Sequence, residues 1–222
     1  MNSAKENPGS GSALKSGLTL GAITGLCIGL VVVLAILTEK PVAESQRRAA
    51  LAQISEILPP ELYDNDPLDD IVLVNAPEAL GGNAQKVHRA FLNNTPSALV
   101  MQVRTLEGYA GQIDLLVAVK ASGEVLGVRV TYHRETPGLG DAIEVRLGPW
   151  IHSFEGRSIG NPGLELWAVK RDGGQFDQFT AATITPRAVV DAVRDSLIYF
   201  EQNKQTLFAV KTAETALENN NE

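Results

Sequence analysis

Apolar and polar positions divide the chain into stretches with different periods. No charge occurs from Gly17 to Thr38, and Ile28 to Leu37 is continuously apolar. About 22 residues at ~1.5 Å per residue give roughly 33 Å of helix, enough to cross a bilayer core. The run exceeds the apolar region of a secretory signal, about 7–15 residues, and Thr38-Glu39-Lys40-Pro41 is no small-residue cleavage site. The pattern therefore predicts an uncleaved anchor. From Pro41 to Leu58 the apolar positions Leu51, Ile54, Ile57 and Leu58 recur at helical spacing, and Pro59-Pro60 predicts the stop. Period-two or continuous apolar runs predict strands at 71–74, 98–104, 113–120, 125–132 and 164–169. Ser122-Gly123 marks a hairpin turn between the third and fourth, and Gly108 to Gly111 a turn before the third. Residues 141–147 read as a short helix. A long helix over 186–207 carries Val189, Val190, Val193, Leu197, Phe200 and Leu207 on one stripe. The soluble part is α+β.

Composition narrows the chemistry. The 222 residues carry a net charge of −7, which lacks the basic footprint of a nucleic-acid binder. The single cysteine, Cys27, lies inside the apolar run, so neither an internal disulfide nor a cysteine-ligated metal cluster can form. Lys5 and Lys15 precede the span while Lys40, Arg47 and Arg48 follow it, so the positive-inside count leaves orientation open. A long acidic domain after an N-terminal anchor fits translocation. The first 16 residues, with Gly9 to Ser12, read as a disordered tail, and so does the asparagine-rich C-terminus.

Several candidate sites have weak spacing. Asp64, Asp66, Asp69 and Asp70 lack the glycine and terminal glutamate of a calcium loop. His88, His133 and His152 show no paired metal-ligand spacing, and no serine stands on a nucleophile elbow. Pro137-Gly138-Leu139-Gly140 is a glycine-punctuated turn, either plain or one that lets backbone N–H groups approach a ligand. Trp150 and Trp167 read as core residues or as flanks of a planar ligand, and Lys170 as a loop lysine or a phosphate partner. Thr185-Pro186 reads as a helix cap followed by a first-turn proline, with two further hydroxyls, Thr180 and Thr183, just upstream. A helix N-terminus beside hydroxyls suits a phosphate group, because unpaired N–H groups and the helix dipole point there.

Two of these stretches together resemble a known family. Asp177-x-x-Thr180-Ala181-Ala182-Thr183 resembles the flavinylation motif Asp-x-x-Ser/Thr-Gly-Ala-Thr, and His133 to Gly140 resembles the flavin-contacting loop of the same FMN-binding domain family. With the N-terminal anchor, the pattern is similar to the G subunit of Rnf (Rsx) ion-translocating oxidoreductases. It is more distantly similar to the C subunit of the sodium-pumping NADH:quinone reductase. The likeness is strongest from Gly108 to Arg194.

The resemblance implies FMN joined by a phosphoester to Thr183 through a flavin transferase that recognises Asp177. Thr180, Ala182 and Lys170 would lie near the phosphate or ring edge, with Glu135, Thr136, Gly138, Leu139 and Gly140 along the flavin. It implies a cytoplasmic tail (1–16), a transmembrane helix (17–38), and a stalk helix and linker partly packed on the domain (39–97). An FMN-binding domain with antiparallel sheet and packed helices (98–208) and a C-terminal tail (209–222) follow. The location implied is the bacterial inner membrane, single-pass, with the FMN domain on the periplasmic side. The partners implied are the other membrane and iron–sulfur subunits of the complex. The activity implied is electron relay coupling transfer between ferredoxin and NAD to ion translocation, or keeping a redox-sensing regulator reduced. No substrate site of its own is expected. One departure stands out: Ala181 replaces the motif's glycine, at about 1 kcal/mol if that position needs a positive φ. A flavin-free tethered module is the alternative that this departure favours.

Overall fold

The computed structural model describes residues 10–180 and 182–209; residues 1–9, Ala181 and the C-terminal residues from 210 onward lie outside the described residues, and with them most of both predicted tails. The chain falls into two units, residues 1–49 and 50–222.

The first unit is helical. Helix α1 runs Ser10–Ser55 without a break, where the apolar pattern predicts a tail, a span and a separate stalk helix. Pro41 lies inside it. A proline there removes one backbone hydrogen bond but does not end a long helix whose other residues keep their partners. Residues Gly17–Ala35 are long and apolar enough to cross a membrane, and none of that stretch is buried within the molecule. Thr19 and Thr38 return their hydroxyls to the carbonyls of Lys15 and Leu34, at 3.1 and 2.8 Å, so these two groups are satisfied within the helix.

The second unit is built on a five-stranded antiparallel sheet in the order β1-β2-β3-β4-β5: Ile71–Ala76, Gly82–Leu92, Thr95–Gly108, Gly111–Lys120 and Val125–Tyr132. Every strand pairs with its sequence neighbour. The three strands β3 to β5 and the turns at Gly108–Gly111 and Ser122-Gly123 agree with the alternation read from the sequence. β1 lengthens the short strand expected at 71–74. β2 has no counterpart among the expected strands, and both β1 and β2 lie inside the 39–97 stretch that the pattern reads as stalk and linker.

Both faces of the sheet are covered, which explains the near-continuous apolar runs in β3 and β4. Leu99, Met101, Val103, Leu115, Val117 and Val119 face one core with Val189, Val193, Leu197 and Phe200 of the last helix, α3 (Ile184–Phe208); α2 is the single turn Pro77–Leu80 between β1 and β2. The alternate residues Ala98, Val100, Leu116 and Ala118 face Ile54, Ile57 and Leu58. Arg89 of β2, only 7 % exposed, donates to Asp70 at 2.6 Å and to the carbonyl of Ala209 at 2.5 Å, joining the acidic link to the end of α3. His88 beside it is buried, and its Nδ1 donates to the Pro67 carbonyl at 2.9 Å. Burial holds the His88 imidazole below its ordinary pKa, against the raising effect of that bond.

Between β5 and α3 the chain forms a series of short 3-10 turns. The strand predicted over 164–169 is absent: Leu164–Leu166 is a 3-10 turn and Lys170–Asp172 another, with Val169 alone bridging Phe176. The apolar residues there fold around an aromatic stack of Phe154, Trp167 and Phe176 instead of pairing along a strand. The short helix expected over 141–147 is likewise two 3-10 turns, Asp141–Ile143 and Val145–Leu147.

Candidate functional site

Two segments far apart in sequence form the walls of one cleft of about 430 Å³. Its lining is Tyr109, Glu135, Thr136, Leu139, Gly140, Ala182, Thr183, Ile184 and Thr185. The volume suits a cofactor-sized ligand, and the mix of one aromatic, three aliphatic and several hydroxyl-bearing side chains suits a planar ring with a polar tail.

The first wall follows β5. The Thr136 carbonyl accepts the N–H groups of Leu139 and Gly140, each at 3.1 Å, and the Asp141 carboxylate accepts that of Gly138 at 2.8 Å. The N–H groups of this glycine turn are therefore engaged inside it, so it offers side chains and surface to a ligand, not the backbone donors that its glycines suggest. Gly138 has φ +77°, a conformation that L side chains rarely adopt. Gly140 is required for a different reason: a Cβ there would come within 2.8 Å of Glu135 Oε2 and 2.9 Å of Thr185 Oγ1.

Glu135 forms the floor. It is 4 % exposed, accepts the Ala110 N–H at 3.0 Å through one oxygen, and accepts the Thr185 hydroxyl at 2.5 Å through the other. Its own N–H donates to His133 Nδ1 at 3.0 Å, which places the ring proton of neutral His133 on Nε2, facing Glu144 at 2.9 Å. The hydrogen bond from Arg146 holds the Glu144 carboxyl below the usual range, with burial opposing and His133 adding to it.

The second wall runs from Asp177 into α3. The helix starts at Ile184, with Thr183 at the cap position and no side-chain capping bond. This corrects the reading of Thr185 as the cap. With the helix starting earlier, Thr185 falls in the first turn and its hydroxyl turns inward to Glu135, while Pro186 still occupies a position whose N–H needs no partner. The Thr183 hydroxyl is thus left at the cleft, half-exposed, with Arg171 Nη1 at 3.5 Å.

Side chains from outside the segment hold this wall. Phe179 and Ala182 close a tight turn through a 3.2 Å backbone bond. Trp150 packs edge-on against Phe179 and donates its Nε1–H to the Asp177 carbonyl at 2.7 Å, so it braces the wall from the edge of the core and is not part of the cleft lining. Trp167, the other tryptophan, is 1 % exposed in that core. Three consecutive charges on the 170–172 turn reach three points along the wall: Lys170 pairs with Asp177 at 2.5 Å, Arg171 reaches Thr183, and Asp172 accepts from Arg187 Nε and Nη2 at 2.6 and 2.9 Å. The Arg187 bond holds the Asp172 carboxyl below its usual range.

Of the residues singled out from sequence, Glu135, Thr136, Leu139, Gly140, Ala182 and Thr183 meet in the cleft. Gly138 shapes its turn. Thr180, Asp177 and Lys170 lie outside the lining, the last two paired with each other. Ala181 lies outside the described residues. Sequence reasoning misses Tyr109 and Arg171; Tyr109 has only its place on the β3–β4 turn to mark it. His88, His133 and His152 stand apart, and among the described residues no three potential metal ligands group together.

The residues that line this cleft all fall within 108–198, the stretch that matches the model of the FMN-binding domain. Residues 1–57 match the model of the RnfG N-terminal region. Over 203 residues the chain is 48 % identical to the G subunit of the ion-translocating oxidoreductase complex of Pseudomonas aeruginosa strain UCBPP-PA14, covering 91 % of this chain and 95 % of that one. The corresponding protein of Photorhabdus laumondii is 44 % identical over 201 residues (89 % and 95 %), and that of Vibrio atlanticus 40 % over 195 residues (88 % and 93 %). The chain belongs to the RnfG family, the G subunits of ion-translocating oxidoreductase complexes.

Proposed function

We propose that this protein is a membrane-anchored flavoprotein subunit that carries FMN covalently on Thr183 and relays electrons within an Rnf-type complex. That complex couples electron transfer between ferredoxin and NAD to ion translocation. The observation that carries the reading is the convergence of the Glu135–Gly140 wall and the Thr183 hydroxyl on one cleft. FMN, when bound, supplies reversible electron transfer. The chain's own residues do the rest. Thr183 provides the oxygen for a phosphoester, left uncommitted because the helix is not capped by it. Tyr109, Leu139 and Ile184 offer apolar surface to a ring, and the buried Glu135 keeps Thr185 and the β3–β4 turn in place. Asp177, exposed and held by Lys170, is available to a flavin transferase, and Thr180 lies beside it on the outer side of the wall.

The exposed apolar stretch of α1 supports anchoring in the bacterial inner membrane. A long domain after an N-terminal anchor fits translocation and so a periplasmic placement. The name shared by the relatives supports partnership with other subunits of an ion-translocating complex, and the membrane and iron–sulfur subunits are the partners proposed.

The test is protein made together with a flavin transferase and run on a denaturing gel. The expected result is a fluorescent band that Thr183→Ala abolishes. A dark wild-type band favours the flavin-free tethered module to which Ala181 points, and a bright Thr183→Ala band moves the attachment elsewhere. Protease accessibility in intact cells checks the orientation.

A further inference from the structure

We propose that Arg171 is the residue that binds the FMN phosphate. The inference rests on the reading that FMN occupies this cleft, and it departs from the choice that sequence alone suggests, Lys170. The 170–172 turn presents three charges in succession, and two are already neutralised by opposite charges: Lys170 by Asp177 and Asp172 by Arg187. Arg171 differs. Among the described residues its guanidinium has one hydrogen-bond partner, the neutral hydroxyl of Thr183, at 3.5 Å. Its backbone N–H is fixed by the Gln178 side chain at 3.3 Å, which ties the turn to the motif segment on the same side as Thr183.

A threonine hydroxyl alone gives a guanidinium little reason to stay. A phosphoester on that same oxygen puts two non-bridging oxygens, sharing one negative charge, on the adjacent phosphorus, and a planar fork of N–H donors matches them in geometry and charge. The single negative charge that the phosphoester keeps faces the Arg171 guanidinium, which interacts with the Asp172 carboxylate through space but, among the described residues, hydrogen-bonds only to Thr183. Neighbouring Arg187 is already engaged, because its Nε and one terminal nitrogen are both held by Asp172.

The experiment uses the full-length chain in detergent, made without a transferase so that Thr183 is free, and compares reversible binding of FMN and riboflavin by flavin fluorescence. Riboflavin has the same ring and ribityl chain without the phosphate. Wild type is expected to prefer FMN. Arg171→Ala is expected to lose about tenfold of FMN affinity with riboflavin binding unchanged. Arg171→Lys is expected to recover part of the loss, since it keeps the charge but not the fork. The assignment is overturned if wild type shows no preference for FMN, if Arg171→Ala keeps the preference, or if it weakens both ligands equally. Intact mass of the co-expressed protein reports covalent attachment separately. An unmodified Thr183 there defeats the covalent reading while leaving the reversible comparison to decide Arg171.

Discussion

The two walls of the cleft are made in opposite ways. The Glu135–Asp141 wall is held by internal and buried bonds: its N–H groups bond within the turn, and its carboxylate accepts from the Ala110 N–H and from the Thr185 hydroxyl of the other wall. The Asp177–Thr185 wall is held from outside by a tryptophan and a row of exposed ion pairs. The contrast teaches where each wall's shape comes from. The first is set by burial and survives salt, while the second leans on solvent-exposed pairs worth little in stability. On the proposed attachment to Thr183, a transferase has to reach this second wall, which its exposed construction favours.

Substitutions can break this contrast, beginning with the first wall. Glu135→Leu leaves the Thr185 hydroxyl and the Ala110 N–H without an acceptor in a buried site, and is expected to destabilise the domain by about 2–4 kcal/mol in urea unfolding. Gly140→Ala forces a methyl group against the Glu135–Thr185 pair and should cost about 1–3 kcal/mol by the same measurement. Trp150→Phe removes the bond to the Asp177 carbonyl and part of the packing against Phe154 and Phe179. It is expected to cost about 1 kcal/mol, with faster hydrogen exchange confined to the Asp177–Thr183 segment.

A pH series sharpens the comparison. The folded pKa of His88 lies below its ordinary value, so the unfolded chain binds the proton more readily. Stability is complete above about pH 6.5 and is lost as pH falls below that, giving a lower Tm at about pH 5.5 than at about 7.5 that His88→Asn should flatten. The Asp172–Arg187 pair responds in a more acidic range. Its contribution is present above the ordinary carboxylate pKa and disappears as pH falls through the depressed folded value. The smallest effect is expected from Asp172→Asn, with no measurable change in Tm but greater protease sensitivity of the second wall.

Much of this is legible in the chain. Alternation in β3, β4 and β5 and the stripe on α3 are long and regular, and the paired motifs bring Thr183 and Glu135 to Gly140 together. What escapes does so for physical reasons. β2 opens with Gly82, Asn83, Ala84, Gln85 and Lys86 and contains His88 and Arg89, whose burial depends on partners distant in sequence, the Pro67 and Ala209 carbonyls and Asp70. Leu164 to Val169 has the period of a strand, but Trp167 and Phe176 stack on Phe154 and draw the chain into turns. No spacing rule distinguishes Lys170 from Arg171. In a 3-10 turn successive side chains point about 120° apart, so adjacent cations meet different partners.

The sheet order has a kinetic consequence. Because β1 to β5 pair strictly with their neighbours along the chain, each addition closes only a short loop, and the sheet has a low contact order for a β structure. It can zip from hairpin to hairpin without waiting for either end of the domain. The first wall follows directly on the last strand, whereas the second runs into α3, whose Thr185 also completes the bonding of Glu135. Thr183, at the start of α3, is therefore expected to reach its native surroundings only when that helix packs on the sheet.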